Sequence, residues 1–345
     1  MAENVAPARA SAADAPSRPP LATGWRLLVA MPALNEAATI GEVIRRIPRA
    51  IEGMASVDVL VIDDGSTDET VNIARAEGAH VISHGRNLGL GTALQNAIQY
   101  ALERNVDVLV NIDADGQFAP EDIVKLVQPV VGGHADMATA SRFKDPSLVP
   151  EMPPLKLWGN HKMSALISTI CGDRFYDVSC GFRCYSRETL LKLVLTGRFT
   201  YTQETFLVLS LKGLKIVEVP LAVRGVREHG TSRMASNLFR YGTRTAGIIF
   251  GCLRDYRPER LFHPVAFGLL MLSFAAGAFF IAHRIVAGQF TPHIWAGFVS
   301  AFVFGLALLV FVMGQIAMSV SRIRHVQDEQ LYILRKELLG AVRRG

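Results

Sequence analysis

From Trp25 onward, short unbroken apolar runs alternate with stretches whose apolar residues recur every three or four positions. The runs "WRLLVAMPA", "VDVLVIDDGS", "AHVISH", "VDVLVNIDAD" and "ADMATASRF" predict strands, and "IVEVPLAVR" predicts a late one. Between them, "EAATIGEVIRRI", "TDETVNIARAEG", "GLGTALQNAIQYALERN" and "PEDIVKLVQPVV" predict helices. Gly78 marks a helix stop, Pro120 a first turn, and Ser66 with Glu69 a capping box. Strands apolar on both faces and alternating with helices belong to a largely parallel sheet, the α/β class. After a Pro-rich loop, "LKLWGNHKMSALISTICG" predicts one more amphipathic helix. Its Trp158 suits packing or contact with a membrane surface better than stacking on a substrate.

The pattern changes near the C-terminus. Residues 265–282 and 294–320 carry no charged side chain, and a helix crosses the hydrocarbon with roughly 20 apolar residues. Region 261–320 therefore predicts two transmembrane helices, at about 262–283 and 294–320. Arg240, Arg244, Arg254, Arg257 and Arg260 precede the first span, and Arg322, Arg324, Arg335, Lys336, Arg343 and Arg344 follow the second. Arg284 alone sits in the connector. Positive flanks lie on the cytoplasmic side, which predicts a multi-pass protein of the cytoplasmic membrane with both termini inside. Residues 236–260 predict juxtamembrane amphipathic helices. Residues 321–345 predict a cationic amphipathic helix, suited to lipid or to a subunit contact in a homo-oligomer. Residues 1–24 are rich in Ala and Pro without an apolar signal core, which predicts a disordered tail.

Composition sharpens this division. Half of the 345 residues are hydrophobic, and the excess lies in 261–320, leaving 25–235 as a soluble domain. The net charge of +5 is concentrated beside the spans, which points to anionic headgroups and away from nucleic acid. The four cysteines form no CxxC pair, which suits reduced thiols in the cytoplasm.

In a parallel sheet, ligands bind beyond the carboxyl ends of the strands. Residues 32–36, 63–66 and 113–117 each follow a strand directly and so share one rim. Asp113 and Asp115, one residue apart, would repel each other without a cation between them. Mg²⁺ and Mn²⁺ accept one or two carboxylates and complete their shell with phosphate oxygens, and Gln117 offers another oxygen. Asp63 and Asp64 suit hydrogen bonds to a base or a ribose, and Pro32 and Glu36 suit the frame around them. "GRNLGLGTALQNAI" is neither G-x-G-x-x-G nor a P-loop.

In order, "MPALNE", "VIDDGSTDET", "NLGLGTALQNAI" and "DADGQFAPEDI" resemble family 2 glycosyltransferases of the GT-A fold. "ASRF", "DVSCGFRCYSRETL", "YTQETFLVLSLKGL", "VEVPLAVRGVREHGTSRM" and the apolar hairpin resemble the polyprenyl-phosphate monosaccharide transferases within it. The resemblance implies nucleotide contacts from Pro32, Leu34, Glu36, Asp63 and Asp64. It implies metal and donor diphosphate at Asp113, Asp115 and Gln117, and sugar contacts from Gln203 and Glu204. Arg142, Arg227, Ser232 and Arg233 would meet the acceptor phosphate, with Cys180 where the family often has Ser. Asp177, Gly181 and Phe182 would wall the pocket. Asp115, Arg142, Glu204 and Arg227 are the catalytic candidates. The implied partners are a nucleotide-diphospho-sugar (UDP or GDP), a polyprenyl phosphate and the bilayer. A family 2 enzyme acting on a hydroxyl acceptor, or a silent nucleotide-binding scaffold, are the competing readings.

Overall fold

A computed structural model describes residues 24–195, 197, 201–224 and 238–342. The expected tail, apart from Gly24, and Arg227, Ser232 and Arg233 lie outside these residues. Seven strands form one sheet: β1 (Trp25–Ala33), β2 (Met54–Asp63), β3 (His80–Ser83), β4 (Val108–Asn111), β5 (Met137–Ser141), β6 (Arg183–Ser186) and β7 (Ile216–Pro220). Their order is β3-β2-β1-β4-β6-β5-β7. The helices are α1 (Ile40–Arg46), α2 (Thr70–Ala76), α3 (Leu90–Glu103), α4 (Ile123–Val131), α5 (Pro154–Cys171), α6 (Arg187–Lys192), α7 (Thr202–Leu211), α8 (Leu238–Tyr256), α9 (Glu259–Ala287) and α10 (Ile294–Val342).

Strand β1 lies parallel between β2 and β4, with Val29 opposite Val59 on one side and Val110 on the other. Alternation along the strands divides the apolar residues between two faces. Leu28, Leu60, Ile62 and Leu109 pack under α3, α5, α6, α7 and α8. Val29, Met31, Val61 and Val110 pack under α1, α2 and α4. Burial on both faces is why the sequence shows unbroken runs instead of alternating ones.

One strand is invisible in the pattern. β6 is four residues long, runs antiparallel between β4 and β5, and begins with a buried arginine. Arg183 is 0% exposed, yet its guanidinium donates to the carbonyls of Cys180 and Val178 and lies over the rings of Tyr201 and Phe206. Because β6 runs against its neighbours, residues 177–182 enter it at the rim where the parallel strands end.

The helices after β1 and β2 start later than the sequence pattern predicts, at Ile40 and Thr70. The preceding residues are left as rim loops. The predicted Ser66–Glu69 capping box does not form. Ser66 Oγ accepts from Asn35 N, and Asp68 Oδ1, nearer to the helix, takes the Thr70 N–H.

Helices α9 and α10 are long and apolar enough to cross a membrane, and 11% of each apolar window is buried. Phe267, Phe298 and Phe302 are 62%, 74% and 69% exposed. The core helix of a soluble protein would be covered, and so continuous an apolar surface is not left open to water. Helix α10 runs without a break past residue 320, where the sequence pattern suggests a boundary between span and tail. Its last turns rest on the α/β domain. Tyr332 Oη donates to Glu188 at 2.6 Å, Arg335 to the Leu191 carbonyl at 3.1 Å, and Lys212 pairs with Asp328 at 2.8 Å.

Candidate active site

The rim forms where β4 ends. Gly116, at φ +72°, turns the chain so that Gln117 N donates to Asp115 Oδ1 at 3.0 Å. Asp115 is buried, and Asp113 is half-buried against Gly181. A Cβ added at Gly181 would stand 3.2 Å from Asp113 Oδ2 and 3.2 Å from Tyr201 Oη. Only a residue without a side chain leaves the carboxylate and the phenol in place. Asn111, the last residue of β4, donates to Tyr201 Oη at 2.8 Å and to the Gly181 carbonyl at 3.0 Å. Burial first, and then the Asp113 charge, push the Tyr201 phenol well above its ordinary pKa, so it stays protonated.

Beside it lie the loops after β1 and β2. Thr39 Oγ1 donates to the Ala114 carbonyl at 2.8 Å, joining the first loop to the Asp113–Asp115 turn. Glu36 N donates to Thr70 Oγ1, and Asn35, at φ +54°, receives Thr67 N on its side-chain oxygen. Pro32 and Leu34 are half-buried on the same segment. Asp63 accepts from Ser66 N at 2.8 Å and from Ser83 Oγ. Burial pushes its carboxyl up, but these hydrogen bonds outweigh burial and hold it below the usual range. Asp64 accepts from Leu88 N at 2.7 Å and Gly89 N at 2.9 Å, and meets His84 Nδ1 at 3.0 Å. His84 in turn contacts Asn96 at 2.7 Å. Both aspartates thus tie the loop after β2 to the segment from Ser83 to Gly89, and both are buried.

On the other side of the Asp pair, Arg142 follows β5. It forks onto Asp177 through Nε at 2.6 Å and Nη2 at 2.9 Å, and Nη2 also reaches Ser179 Oγ at 3.1 Å. Asp177 is fully buried. Burial alone would raise its pKa, but the Arg142 charge and hydrogen bonds prevail and hold it below the ordinary value. Glu218 completes the cluster by accepting the backbone N–H groups of Tyr176 and Asp177. Burial raises its carboxyl in spite of those bonds.

The other expected residues are engaged within the fold. Cys180 is 2% exposed within the apolar cluster of Phe182 and Phe118, and burial pushes its thiol up to about 12. It is a neutral packing residue, while neighbouring Ser179 makes the contact with Arg142. Glu204 is buried, and its carboxylate accepts from Gly197 N at 3.0 Å. Gln203, also buried, receives the Thr202 hydroxyl at 2.7 Å. Gln117 Nε2 donates to the Arg224 carbonyl, and Arg224 N returns a bond to the Gln117 carbonyl. Arg224 is thereby held beside the Asp113–Asp115 turn.

Sequence reasoning missed Asn111, Asn35, His84 and Glu218. Asn111 closes β4 and Asn35 lies just past β1, so both were findable by the rim rule. His84 and Glu218 acquire their roles only from partners far along the chain.

The donor set fits a hard divalent ion. Carboxylate oxygens are the right ligands, and Asp113 is half-buried beside Gly181. Among the described residues, no three His, Cys, Asp or Glu converge into a closed cage.

Residues 28–194 match the description "Glycosyl transferase family 2". Polyprenol monophosphomannose synthase of Mycolicibacterium smegmatis is 31% identical over 62% of this chain and 83% of its own. Undecaprenyl-phosphate mannosyltransferase of Micrococcus luteus is 30% identical over 62% of this chain and 89% of its own. Glucosyl-3-phosphoglycerate synthase of Mycobacterium tuberculosis, solved with Mn²⁺, UDP-glucose and phosphoglyceric acid, superposes with a TM-score of 0.52 at 25% identity, over 67% of this chain and 79% of that one. By relatedness along most of these proteins' length, and by its mainly parallel Rossmann-like sheet, the chain belongs to glycosyltransferase family 2 with the GT-A fold.

Proposed function

We propose that the protein transfers a monosaccharide from a nucleotide-diphospho-sugar to the phosphate of a polyprenyl lipid at the bilayer surface. The observation that carries this reading is the joining of two features in one chain. An acidic rim beside Gly181 belongs to a domain fastened to α10, itself one of two membrane-spanning-type helices. A soluble acceptor would not require that attachment. The relatives' names, one a polyprenol and one an undecaprenyl-phosphate transferase, support the same acceptor class.

In this proposal Pro32, Leu34, Glu36, Asp63 and Asp64 hold the nucleotide. Asp113 and Asp115, with Gln117 beside them, hold Mg²⁺ or Mn²⁺, which when bound neutralises charge on the departing diphosphate. Gln203 and Glu204 shape the sugar end. Arg142, oriented by Asp177 and Ser179, and Arg227, Ser232 and Arg233 bind the acceptor phosphate, for which the planar guanidinium fork is suited. A phosphomonoester has a second pKa of about 6, so it reaches neutral pH already deprotonated and no strong general base is required. Its oxygen attacks the anomeric carbon, forming one C–O bond. The bond to the diphosphate breaks on the opposite face, and the nucleoside diphosphate leaves with the electron pair, giving inversion. The arginine-rich flanks support the cytoplasmic side of the membrane for the active site and both termini.

Purified protein incubated with nucleotide-sugars and undecaprenyl phosphate, with Mg²⁺ or Mn²⁺, should yield a lipid phosphodiester heavier by one sugar residue in mass spectrometry. Asp115→Ala should lower turnover by about 10²-fold or more while leaving the melting temperature near that of the parent. Sugar transfer only to hydroxyl lipids, or unchanged turnover in the variant, would reject the reading.

A further inference from the structure

Helix α5 has an outer face that the proposed chemistry leaves unexplained. Ser164, Ile167 and Ile170 face inward. Leu155, Trp158, Lys162, Ala165, Leu166 and Thr169 are exposed, and at helical spacing these six fall within an arc of about 100°. Leu155 is 65%, Trp158 60% and Leu166 46% exposed. Packing against the rest of the chain is therefore not what Trp158 does.

Two further observations say what covers this face. The helix contains Lys156 and Lys162 but no Asp or Glu, and Lys162 Nζ lies 5.8 Å from the Trp158 ring centre. An aromatic ring with a lysine arching beside it is the arrangement favoured where acyl chains give way to anionic headgroups. The helix is also continuous with the membrane attachment. Arg260, in the first turn of α9, donates to the Ile170 carbonyl at 2.5 Å. Ile167 and Ile170 share one core with Ile249 and Cys252 of α8. The last turn of α5 thus lies where the chain enters its first apolar span.

We propose that the outer face of α5 lies in the interface of an anionic bilayer, as a third membrane contact beside α9 and α10. The consequence for the site is direct. Asn160, half a turn from Trp158, accepts from Ser179 Oγ at 3.0 Å, and Ser179 receives Arg142 at 3.1 Å. Because Asn160 lies about 200° round the helix from Trp158, seating α5 in the interface would hold Arg142 on the aqueous side of α5, facing the headgroup layer that presents an acceptor's phosphate.

The test uses the full-length chain with Trp25→Phe and Trp295→Phe, which leaves Trp158 as the sole tryptophan. It is reconstituted in vesicles of phosphatidylcholine and phosphatidylglycerol. Brominated acyl chains should quench the Trp158 emission, and aqueous acrylamide should not. Quenching by acrylamide alone would place the face in water. Protection from both would mean that protein covers it, a second copy of the chain included. Either result overturns the proposal. A second arm rests on the lipid-phosphate reading: Trp158→Glu with Leu166→Glu alters two exposed positions. It should raise KM for long-chain polyprenyl phosphate in vesicles about tenfold while leaving KM for a short water-soluble prenyl phosphate unchanged. Bromolipid quenching with an unaltered long-chain KM would keep the bilayer contact and reject its link to the acceptor.

Discussion

The ion pair of Arg142 and Asp177 shows how one residue's role depends on a distant partner. Asp177 is fully buried, and the cation is what keeps it ionised. A carboxylate with a depressed folded pKa contributes stability above its unfolded value, near 3.8, and loses it as pH falls through the folded one. In Arg142→Met the burial remains and the cation is gone, so the Asp177 pKa rises above the ordinary value. Its contribution then has the opposite sign, present at low pH and lost as pH rises. At pH 7 the variant should be less stable by about 3–5 kcal/mol, and the gap should narrow as pH falls toward about 4. Thermal melts of both proteins across that range test this, and Glu218 is common to both, so the difference is the informative quantity. A gap that widens on acidification would contradict the assignment. The sequence motif offered both residues, one inside the predicted strand "ADMATASRF" and one in a loop. It did not offer their pairing, because 35 positions separate them and β6, which brings them together, leaves no apolar run.

Among the elements, the rim was legible because each parallel strand must end somewhere and unbroken apolar runs mark where. The duties of the side chains beyond those ends were less so. Asp64 bonds backbone groups 24 and 25 residues later, a relation fixed by the β2–β3 pairing and not by local spacing. Gly65 belongs to the same contact. At φ +90°, its added Cβ would lie 2.7 Å from Arg86 Cα, in the loop between β3 and α3. Gly85 also has positive φ, at +66°, yet a Cβ there meets nothing within 4 Å. Gly85→Ala should cost only the backbone strain, about 1 kcal/mol. Gly65→Ala adds a clash with main chain, which cannot rotate away. It should cost about 2–4 kcal/mol and raise KM for the nucleotide-sugar as the two loops part. Melting temperatures with donor titrations of both variants compare them directly, and equal losses would show that the loop contact is unimportant.

For the whole molecule, the unbroken α10 matters most. The sequence divided it at residue 320 because hydropathy changes there. A helix ignores such a change when nothing interrupts its backbone hydrogen bonds, and there is no Pro or Gly from 315 to 339. One rigid element therefore runs from the apolar hairpin to the α/β domain. It is fastened by Asp328 to Lys212 and Tyr256, by Tyr332 to Glu188 and by Arg335 to Leu191. These contacts lie at spacings of four and three on one face, so they depend on the helix's rotation as much as its length. Inserting two alanines after Arg322 turns everything beyond by about 200° and lifts it about 3 Å, carrying all three residues off the domain. Seven alanines turn it by about 700°, within about 20° of the starting face, but lift it about 10 Å. If α10 fixes the height of the rim above the bilayer, both insertions should reduce transfer to a long-chain acceptor in vesicles. Transfer to a short soluble acceptor should survive in each. If α10 merely anchors the domain, both insertions would leave long-chain turnover unchanged, and the link between strut geometry and acceptor access would fail.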